Sequence, residues 1–236
     1  MYKIVDMWLT PNYYSRPEYE NNVKFIVIHW VGVAKGTING VYNYFEDRKY
    51  GQNSYGSAHE MVSEDIVARF IPDNEMAYAV GSKKYTDYKY EIMGEEYPNC
   101  NTYNIEVAVE DNEGNMTKKT YSTLVERVAH LVKYYNLDIS KVILHHDITG
   151  KICHKLFVDR PNLWEIFKFN VGEKMNEDVD KMGILITKQK FNFLGKDAEM
   201  DVLSLEDHVY LNAENLRFLG LDVRYDEKTK TVIVSL

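Results

Sequence analysis

Apolar residues along the chain occur in two spacings, which predict an alternation of strands and helices. Short, nearly continuous apolar runs predict five strands, at residues 23–31, 57–62, 66–71, 104–110 and 141–145. Apolar positions at helical spacing predict three helices, at residues 37–49, 122–135 and 162–169. The run at 23–31 is apolar on both faces, which is typical of a central strand. Elements in this order predict an α/β domain with a mixed central β-sheet flanked by helices.

Two further patterns refine this prediction. Thr37 precedes the first helix as its expected cap, and Val41, Tyr44 and Phe45 are expected to face the core. The second helix is expected to begin at Ser122 or Thr123. The remaining stretches predict irregular structure: a segment at 1–22 that wraps around the domain, and a long loop at 72–103. A loop of that length inside a compact domain is usually functional.

A change of pattern after residue 170 predicts a small second domain. Residues 171–183 are acidic and polar, which is typical of a linker. Residues 184–236 predict a small α+β domain that follows the main domain at 1–170. Its expected elements are a strand near 184–190, a helix at 212–219 and a hairpin over 221–235.

Composition excludes several classes of function. The net charge of −8 argues against a nucleic-acid-binding protein, which would carry a basic surface. The apolar runs are far shorter than the roughly 20 residues that a membrane span needs, so no membrane insertion is expected. The first residues lack a signal-peptide pattern, so we expect a cytoplasmic protein that does not use a standard export signal. Two cysteines, Cys100 and Cys153, do not indicate a disulfide framework.

Candidate metal ligands lie at the ends of two predicted strands. His29 ends the strand at 23–31, and His145 ends the strand at 141–145. If these strands are parallel neighbours, both imidazoles reach the same edge of the sheet. Cys153 follows His145 closely enough for a loop to return its sulfur to the same place. Two nitrogens and one sulfur would suit a tetrahedral zinc ion with one open position for water. The alternative is a cysteine packed as a small apolar side chain and histidines that are hydrogen-bonded in the core.

Four sequence blocks resemble a known family, the type-2 N-acetylmuramoyl-L-alanine amidases. The blocks are Phe25-Ile26-Val27-Ile28-His29-Trp30, Gly56-Ser57-Ala58-His59, Thr102-Tyr103-Asn104-Ile105-Glu106 and His145-His146-Asp147-Ile148-Thr149-Gly150-Lys151-Ile152-Cys153. The last block is the most specific, because its histidine, aspartate, threonine, lysine and cysteine alternate with other residues. The family includes phage endolysins, bacterial autolysins and peptidoglycan recognition proteins.

The resemblance implies a chemistry and a set of site residues. It implies that His29, His145 and Cys153 bind Zn²⁺ and that Glu106 and Lys151 are catalytic. The implied reaction is hydrolysis of the lactyl–L-alanine amide of peptidoglycan, the expected partner. His59 is expected to be a buried structural histidine, and Cys100 is assigned no role.

The resemblance also implies a biological setting. The expectation is a phage or prophage endolysin of a clostridium-like Gram-positive host, held in the cytoplasm and released to the cell wall at lysis. One alternative is a non-catalytic peptidoglycan-binding protein on the same fold. Another is an intracellular amidase that recycles wall fragments.

The C-terminal residues faintly resemble a second module. Residues 209–234 are similar to a small domain at the N-terminus of some copper amine oxidases and in clostridial surface proteins. Attached to an amidase, this module is expected to bind the cell wall, with a stabilising or dimerising role as the alternative. An internal translation start at Met175 or Met182 would yield free C-terminal domains able to associate with the full chain.

Overall fold

The computed structural model describes residues 2–51 and 54–176 in full. Beyond them it describes the backbone of five strands, at 185–193, 196–205, 208–211, 222–226 and 231–235. The chain divides into two compact units, Met1–Met175 and Asn176–Leu236. Within the described residues, no helix combines the length and hydropathy needed to cross a membrane.

A mixed sheet forms the centre of the first unit, as predicted, and it has six strands where five were expected. Its strands are β1 (Lys3–Asp6), β2 (Phe25–Ile28), β3 (Glu60–Ser63), β4 (Ile66–Arg69), β5 (Thr102–Val107) and β6 (Val142–Leu144), in the order β1-β4-β3-β5-β2-β6. β2 is fully buried and lies parallel to both β5 and β6. It is therefore the central strand that its continuous hydrophobicity predicts.

Helices cover both faces of this sheet. They are α1 (Ile38–Glu46), α2 (Asp87–Met93), α3 (Lys118–Tyr134), α4 (His145–Thr149), α5 (Lys155–Asp159) and α6 (Pro161–Asn176). Ile26 and Ile28 of β2 pack in one apolar cluster with residues of α3 and α6. Phe25 and Val27, on the opposite face, pack with residues of α2 and α4. Side-chain alternation along β2 therefore separates the two halves of the core.

Several predicted boundaries were wrong because polar side chains and backbone hydrogen bonds form structure without an apolar pattern. Residues 1–22 contain the edge strand β1, which is mostly exposed and is held by parallel pairing with β4. α3 begins at Lys118, because the Thr117 hydroxyl accepts a hydrogen bond from the Thr120 amide at 3.0 Å. Its first turn is polar and carries no helical signal in the sequence.

The remaining differences are local. Residues 72–103 contain helix α2, capped by Thr86, and are therefore not a continuous loop. Tyr44 is 61% exposed, since its ring packs beside the Arg48 guanidinium at 4.4 Å and does not enter the core. β5 ends at Val107 and β6 at Leu144, earlier than predicted. α6 continues to Asn176, so the first residues of the expected linker are helical.

The second unit contains five described strands. β7 (Leu185–Phe193), β8 (Lys196–Leu205) and β9 (His208–Leu211) form an antiparallel sheet in that order. β10 (Asp222–Asp226) and β11 (Thr231–Ser235) pair antiparallel. The predicted first strand and C-terminal hairpin are found, whereas β8 and β9 were not predicted. The predicted helix at 212–219, with its cap Asn212, lies outside the described residues, as does Met182.

Candidate active site

Pairing of β2 with β6 brings two histidines together. The strands are parallel, and Ile28 lies opposite Leu144. His29 and His145 are the next residues along each strand, and their ring centroids are 4.7 Å apart. Parallel register therefore places the two imidazoles at the same edge of the sheet, as the strand pattern predicts.

A short helix and a tight turn return Cys153 to these histidines. His145 begins α4, and the helix ends at Gly150, whose φ of +74° is a left-handed conformation that favours glycine. The backbone then reverses, and the Cys153 carbonyl accepts a hydrogen bond from the His146 amide at 3.0 Å. The Cys153 sulfur lies 3.9 Å from His29 Nδ1.

The three side chains form a compact and buried set of donors. His29, His145 and Cys153 are 3%, 7% and 3% exposed. One donor atom from each lies within 4.8 Å of the other two. His145 Nδ1 is buried and has no hydrogen-bond partner in the described part of the chain. A buried polar atom normally has a partner, so an unpaired nitrogen here fits a site for a bound cation.

Burial controls the protonation of these groups. It lowers the pKa of His29 to about 4 and that of His145 to about 2, so both imidazoles are neutral near pH 7. The neutral imidazole is the form that binds a metal. Burial, with a smaller contribution from Glu106, raises the pKa of Cys153 to about 12. A divalent cation would reverse that effect, because it stabilises the thiolate.

Asn104 orients His29, which sequence reasoning did not predict. Its Oδ1 lies 3.0 Å from His29 Nε2. The side-chain Nδ2 of Asn104 donates a hydrogen bond to the Thr102 hydroxyl at 3.0 Å. The side-chain Oδ1 is therefore the acceptor for His29. Nε2 of His29 then carries the proton, and Nδ1 is free to face Cys153. The available signal was a polar residue two positions before Glu106, on the same face of the strand.

His59 lies behind Asn104 and serves the structure. It is fully buried, and its Nδ1 accepts a hydrogen bond from the Asn104 backbone amide at 3.0 Å. Its Nε2 lies 3.0 Å from the Glu75 carbonyl oxygen. Both ring nitrogens are thus used, as expected for a structural histidine. Cys100 is not one of the three clustered donors, and its sulfur lies 3.5 Å from the sulfur of Met76.

Glu106 and Lys151 face the same cavity as the three donors. This cavity has a volume of about 650 Å³ and is lined by all five predicted site residues. Burial raises the pKa of Glu106 to about 8, against the opposing effect of the Lys151 charge. The Oε2 atom of Glu106 is buried without a hydrogen-bond partner among the described residues. Glu106 therefore has a free oxygen and a pKa suited to carrying a proton near neutral pH.

The segment at 72–103 supports the loop that carries Lys151. The Thr86 hydroxyl donates to the Asp147 carbonyl, and the Thr86 amide donates to the Ile148 carbonyl at 3.0 Å. The Asp147 carboxylate accepts from the Leu144 amide at 2.8 Å, which caps α4. Lys151 itself is exposed. The loop therefore has a fixed base and a lysine free to reach a substrate.

Comparison with known proteins identifies the family. The family model for N-acetylmuramoyl-L-alanine amidase matches residues 19–155, which is more than half of the chain. The chain belongs to this family. Membership confirms the class of enzyme that the four sequence blocks predict, and the matched range contains all five candidate site residues.

Individual relatives agree with this family. The N-acetylmuramoyl-L-alanine amidase CwlL of Bacillus licheniformis is 26% identical over 246 residues, covering 100% of this chain and 66% of CwlL. The amidase BlyA of Bacillus subtilis strain 168 is 26% identical over 175 residues, covering 72% of this chain and 47% of BlyA. The chain thus spans about two thirds of CwlL and half of BlyA.

A solved structure has the same fold. A mutant endolysin from Bacillus subtilis superposes with a TM-score of 0.58 at 20% identity. The match covers 73% of this chain and 100% of the endolysin. The mixed sheet with flanking helices is therefore the fold of endolysin catalytic domains.

Proposed function

We propose that the chain is a zinc-dependent amidase that hydrolyses the bond between the lactyl group of N-acetylmuramic acid and L-alanine in peptidoglycan. The observation that carries this proposal is the cluster of His29, His145 and Cys153, whose donor atoms lie within 4.8 Å of one another. The cluster opens into a cavity that Glu106 and Lys151 also line. Family membership supports the amide bond as the target.

The residues present fit zinc better than other common metals. Zinc prefers nitrogen and sulfur ligands, whereas magnesium and calcium prefer oxygen. Two neutral imidazoles and one thiolate would hold the ion and leave a position open for catalysis. When bound, zinc would polarise the scissile carbonyl and acidify a water molecule.

Glu106 and Lys151 would manage protons and charge during hydrolysis. Glu106 would accept a proton from the attacking water and deliver it to the leaving amine. The Lys151 ammonium would stabilise the negative charge that develops on the carbonyl oxygen. The products are a lactyl carboxylate on the sugar and a stem peptide with a free N-terminal alanine.

Removal of the Asn104 side chain should weaken zinc binding. Asn104→Ala removes the acceptor that holds the His29 ring, and loss of such a partner typically lowers metal affinity by about 10–100-fold. Competition with a chromogenic chelator measures the affinity. Asn104→Asp keeps an acceptor oxygen and should retain most of the zinc affinity. Equal affinities for Asn104→Ala and the unmodified protein would show that His29 needs no such orientation.

The biological setting belongs to the same proposal. The chain would act as a phage or prophage endolysin of a clostridium-like host, stored in the cytoplasm and released to the wall at lysis. The fold shared with an endolysin from Bacillus subtilis supports this setting. Residues 184–236 would bind the cell wall and could associate with a second chain. The match to CwlL over the whole length of this chain supports a role for these residues in amidases.

Digestion of purified Gram-positive cell walls tests the proposal. Free N-terminal alanine should appear while the number of reducing sugar ends stays constant. Cys153→Ser should abolish this release, and Cys100→Ser, which changes the other cysteine outside the site, should not. New reducing ends would indicate a glycosidase. Wall binding without any release would favour the non-catalytic alternative, and cleavage of soluble fragments alone would favour the recycling amidase.

A further inference from the structure

Two grooves meet at the candidate metal centre. The first, of about 650 Å³, runs beside α1 and is called here the helix groove. The second, of about 820 Å³, is called the tyrosine groove and is lined by Tyr13, Tyr19, Tyr55, Tyr78 and Tyr97. Both grooves include His145 and Lys151. Tyr55 and Tyr78 also line both grooves, at the place where they join, whereas Tyr13, Tyr19 and Tyr97 line the tyrosine groove alone. A substrate whose scissile bond lies at the centre would therefore place one half in each groove.

The rings of the tyrosine groove form a connected and accessible surface. Tyr13 and Tyr55 have ring centroids 5.6 Å apart, and Tyr55 and Tyr78 have centroids 4.8 Å apart. Tyr13 and Tyr55 are nevertheless 59% and 51% exposed. Aromatic rings left this accessible next to a catalytic cavity are typical of a ligand-binding surface.

The backbone that carries these rings is held in place. The Asn12 side-chain oxygen accepts hydrogen bonds from the Tyr14 and Ser15 amides at 2.8 and 2.9 Å. The following residue, Arg16, forms an ion pair with Glu75 at 2.8 Å, and both side chains are mostly buried. The segment with Tyr13 is therefore preorganised, which reduces the entropy lost when a ligand binds.

Tyr78 and Tyr97 are anchored by other contacts. The Tyr78 amide donates to the Ser57 hydroxyl at 2.9 Å. The Asn99 side chain accepts from the Val80 amide and donates to the Tyr97 hydroxyl, both at 2.8 Å. The five tyrosines thus come from four separate segments of the chain, and hydrogen bonds hold the segments with Tyr13, Tyr78 and Tyr97.

The helix groove differs in chemistry. Arg48 lines it and is only 9% exposed, and its Nε is buried without a hydrogen-bond partner among the described residues. Gly56 lies against this guanidinium, where a Cβ atom would be 3.0 Å from Nε. A buried cation with an unused donor suits a carboxylate. In uncleaved peptidoglycan the free carboxylates lie on the stem peptide, because the lactyl carboxyl of each sugar that carries a peptide is held in an amide bond.

We propose that the tyrosine groove binds the glycan strand and that the helix groove receives the stem peptide. A pyranose ring has an apolar C–H face and a rim of hydroxyl groups. A tyrosine ring matches both, since it offers an apolar face and a hydroxyl that can donate or accept a hydrogen bond. This inference rests on the proposed amidase function, and it assigns the orientation of the substrate across the metal centre.

Substrates of different glycan length test the orientation. We would measure kcat/KM on fragments with one stem peptide and one, two or four sugars. The unmodified enzyme should prefer the longer glycans. Tyr13→Ala and Tyr19→Ala change rings that line the tyrosine groove alone. Each should reduce kcat/KM on the four-sugar fragment by about tenfold, the upper end for loss of one ring contact. On the single-sugar fragment, which leaves most of the tyrosine groove empty, Tyr13→Ala should lose less activity than on the four-sugar fragment.

A matched control is available on α2. Tyr88 is 44% exposed and lines neither groove, so Tyr88→Ala should behave as the unmodified enzyme on every fragment. Tyr13→Phe keeps the ring and should retain most of the preference for long glycans. An equal loss on all fragments, or a loss that follows peptide length, would overturn the proposed orientation. A rate independent of glycan length in the unmodified enzyme would also overturn it.

A binding experiment separates this inference from the proposed reaction. The probe is a peptide-free tetrasaccharide of alternating N-acetylglucosamine and N-acetylmuramic acid, and the measurement is isothermal titration calorimetry. Binding that weakens in Tyr13→Ala but not in Tyr88→Ala supports the glycan site even in a protein that cleaves no amide. Absence of binding, or equal binding by all three proteins, counts against it whether or not the chain is an amidase.

Discussion

Replacing His29 by alanine is expected to remove zinc and, with it, all measurable amidase activity. The His29 side chain is 3% exposed, and its Nδ1 is 3.9 Å from the Cys153 sulfur. The variant would leave His145 and Cys153 as the only two members of the donor cluster, and two protein ligands are fewer than catalytic zinc sites normally have. Atomic emission spectrometry measures the zinc content of the purified protein, and release of N-terminal alanine from walls measures activity.

His130 provides the control for this variant. It is an exposed histidine on α3, outside the donor cluster. His130→Ala should keep both zinc and activity. Full zinc content in His29→Ala would show that His29 is not a zinc ligand and would contradict the proposed ligand set, whatever the effect on activity.

Replacing Glu106 by glutamine should separate proton transfer from metal binding. Glutamine has nearly the same shape as glutamate but cannot carry a proton between water and the leaving amine. We expect kcat to fall by about 10²–10⁴-fold, the usual contribution of a general acid–base group. Zinc content should not change, because Glu106 lies outside the cluster of three donors. Initial rates and zinc content would be measured on the same sample of Glu106→Gln and compared with those of the unmodified enzyme.

Glu110 is a suitable control for this change. It is an exposed carboxylate shortly after the same strand, so Glu110→Gln should have no effect on rate. If Glu106→Gln were as active as the unmodified enzyme, another group would have to transfer the proton. If it lost zinc, Glu106 would act in metal binding and its catalytic role would be withdrawn.

The sequence anticipates some parts of the candidate site better than others. The proximity of His29 and His145 follows from local patterns, because each ends a strongly apolar run and such runs become buried parallel strands. The return of Cys153 follows from the short spacing and the glycine at 150. For these residues, chain connectivity leaves few alternative positions.

The contribution of Asn104 could not be predicted in this way. Its role depends on β5 lying beside β2, with Asn104 opposite Val27, so that its side chain reaches His29. The sequence contains no signal that identifies the partner strand. Edge strand β1 was missed for a related reason, since its pairing with β4 uses backbone groups that every residue possesses.

The sequence by itself determined the mixed sheet, the family resemblance and the three candidate metal ligands, because these depend on hydrophobic spacing and on the chemistry of a short motif. Only the tertiary structure decided which side chain orients His29 and which surfaces extend from the metal centre. Tyr13, Tyr55 and Tyr78 come from three separate segments, and their common surface exists only after the chain has folded. Contacts between residues far apart in sequence depend on the packing of the whole domain, which no local pattern encodes.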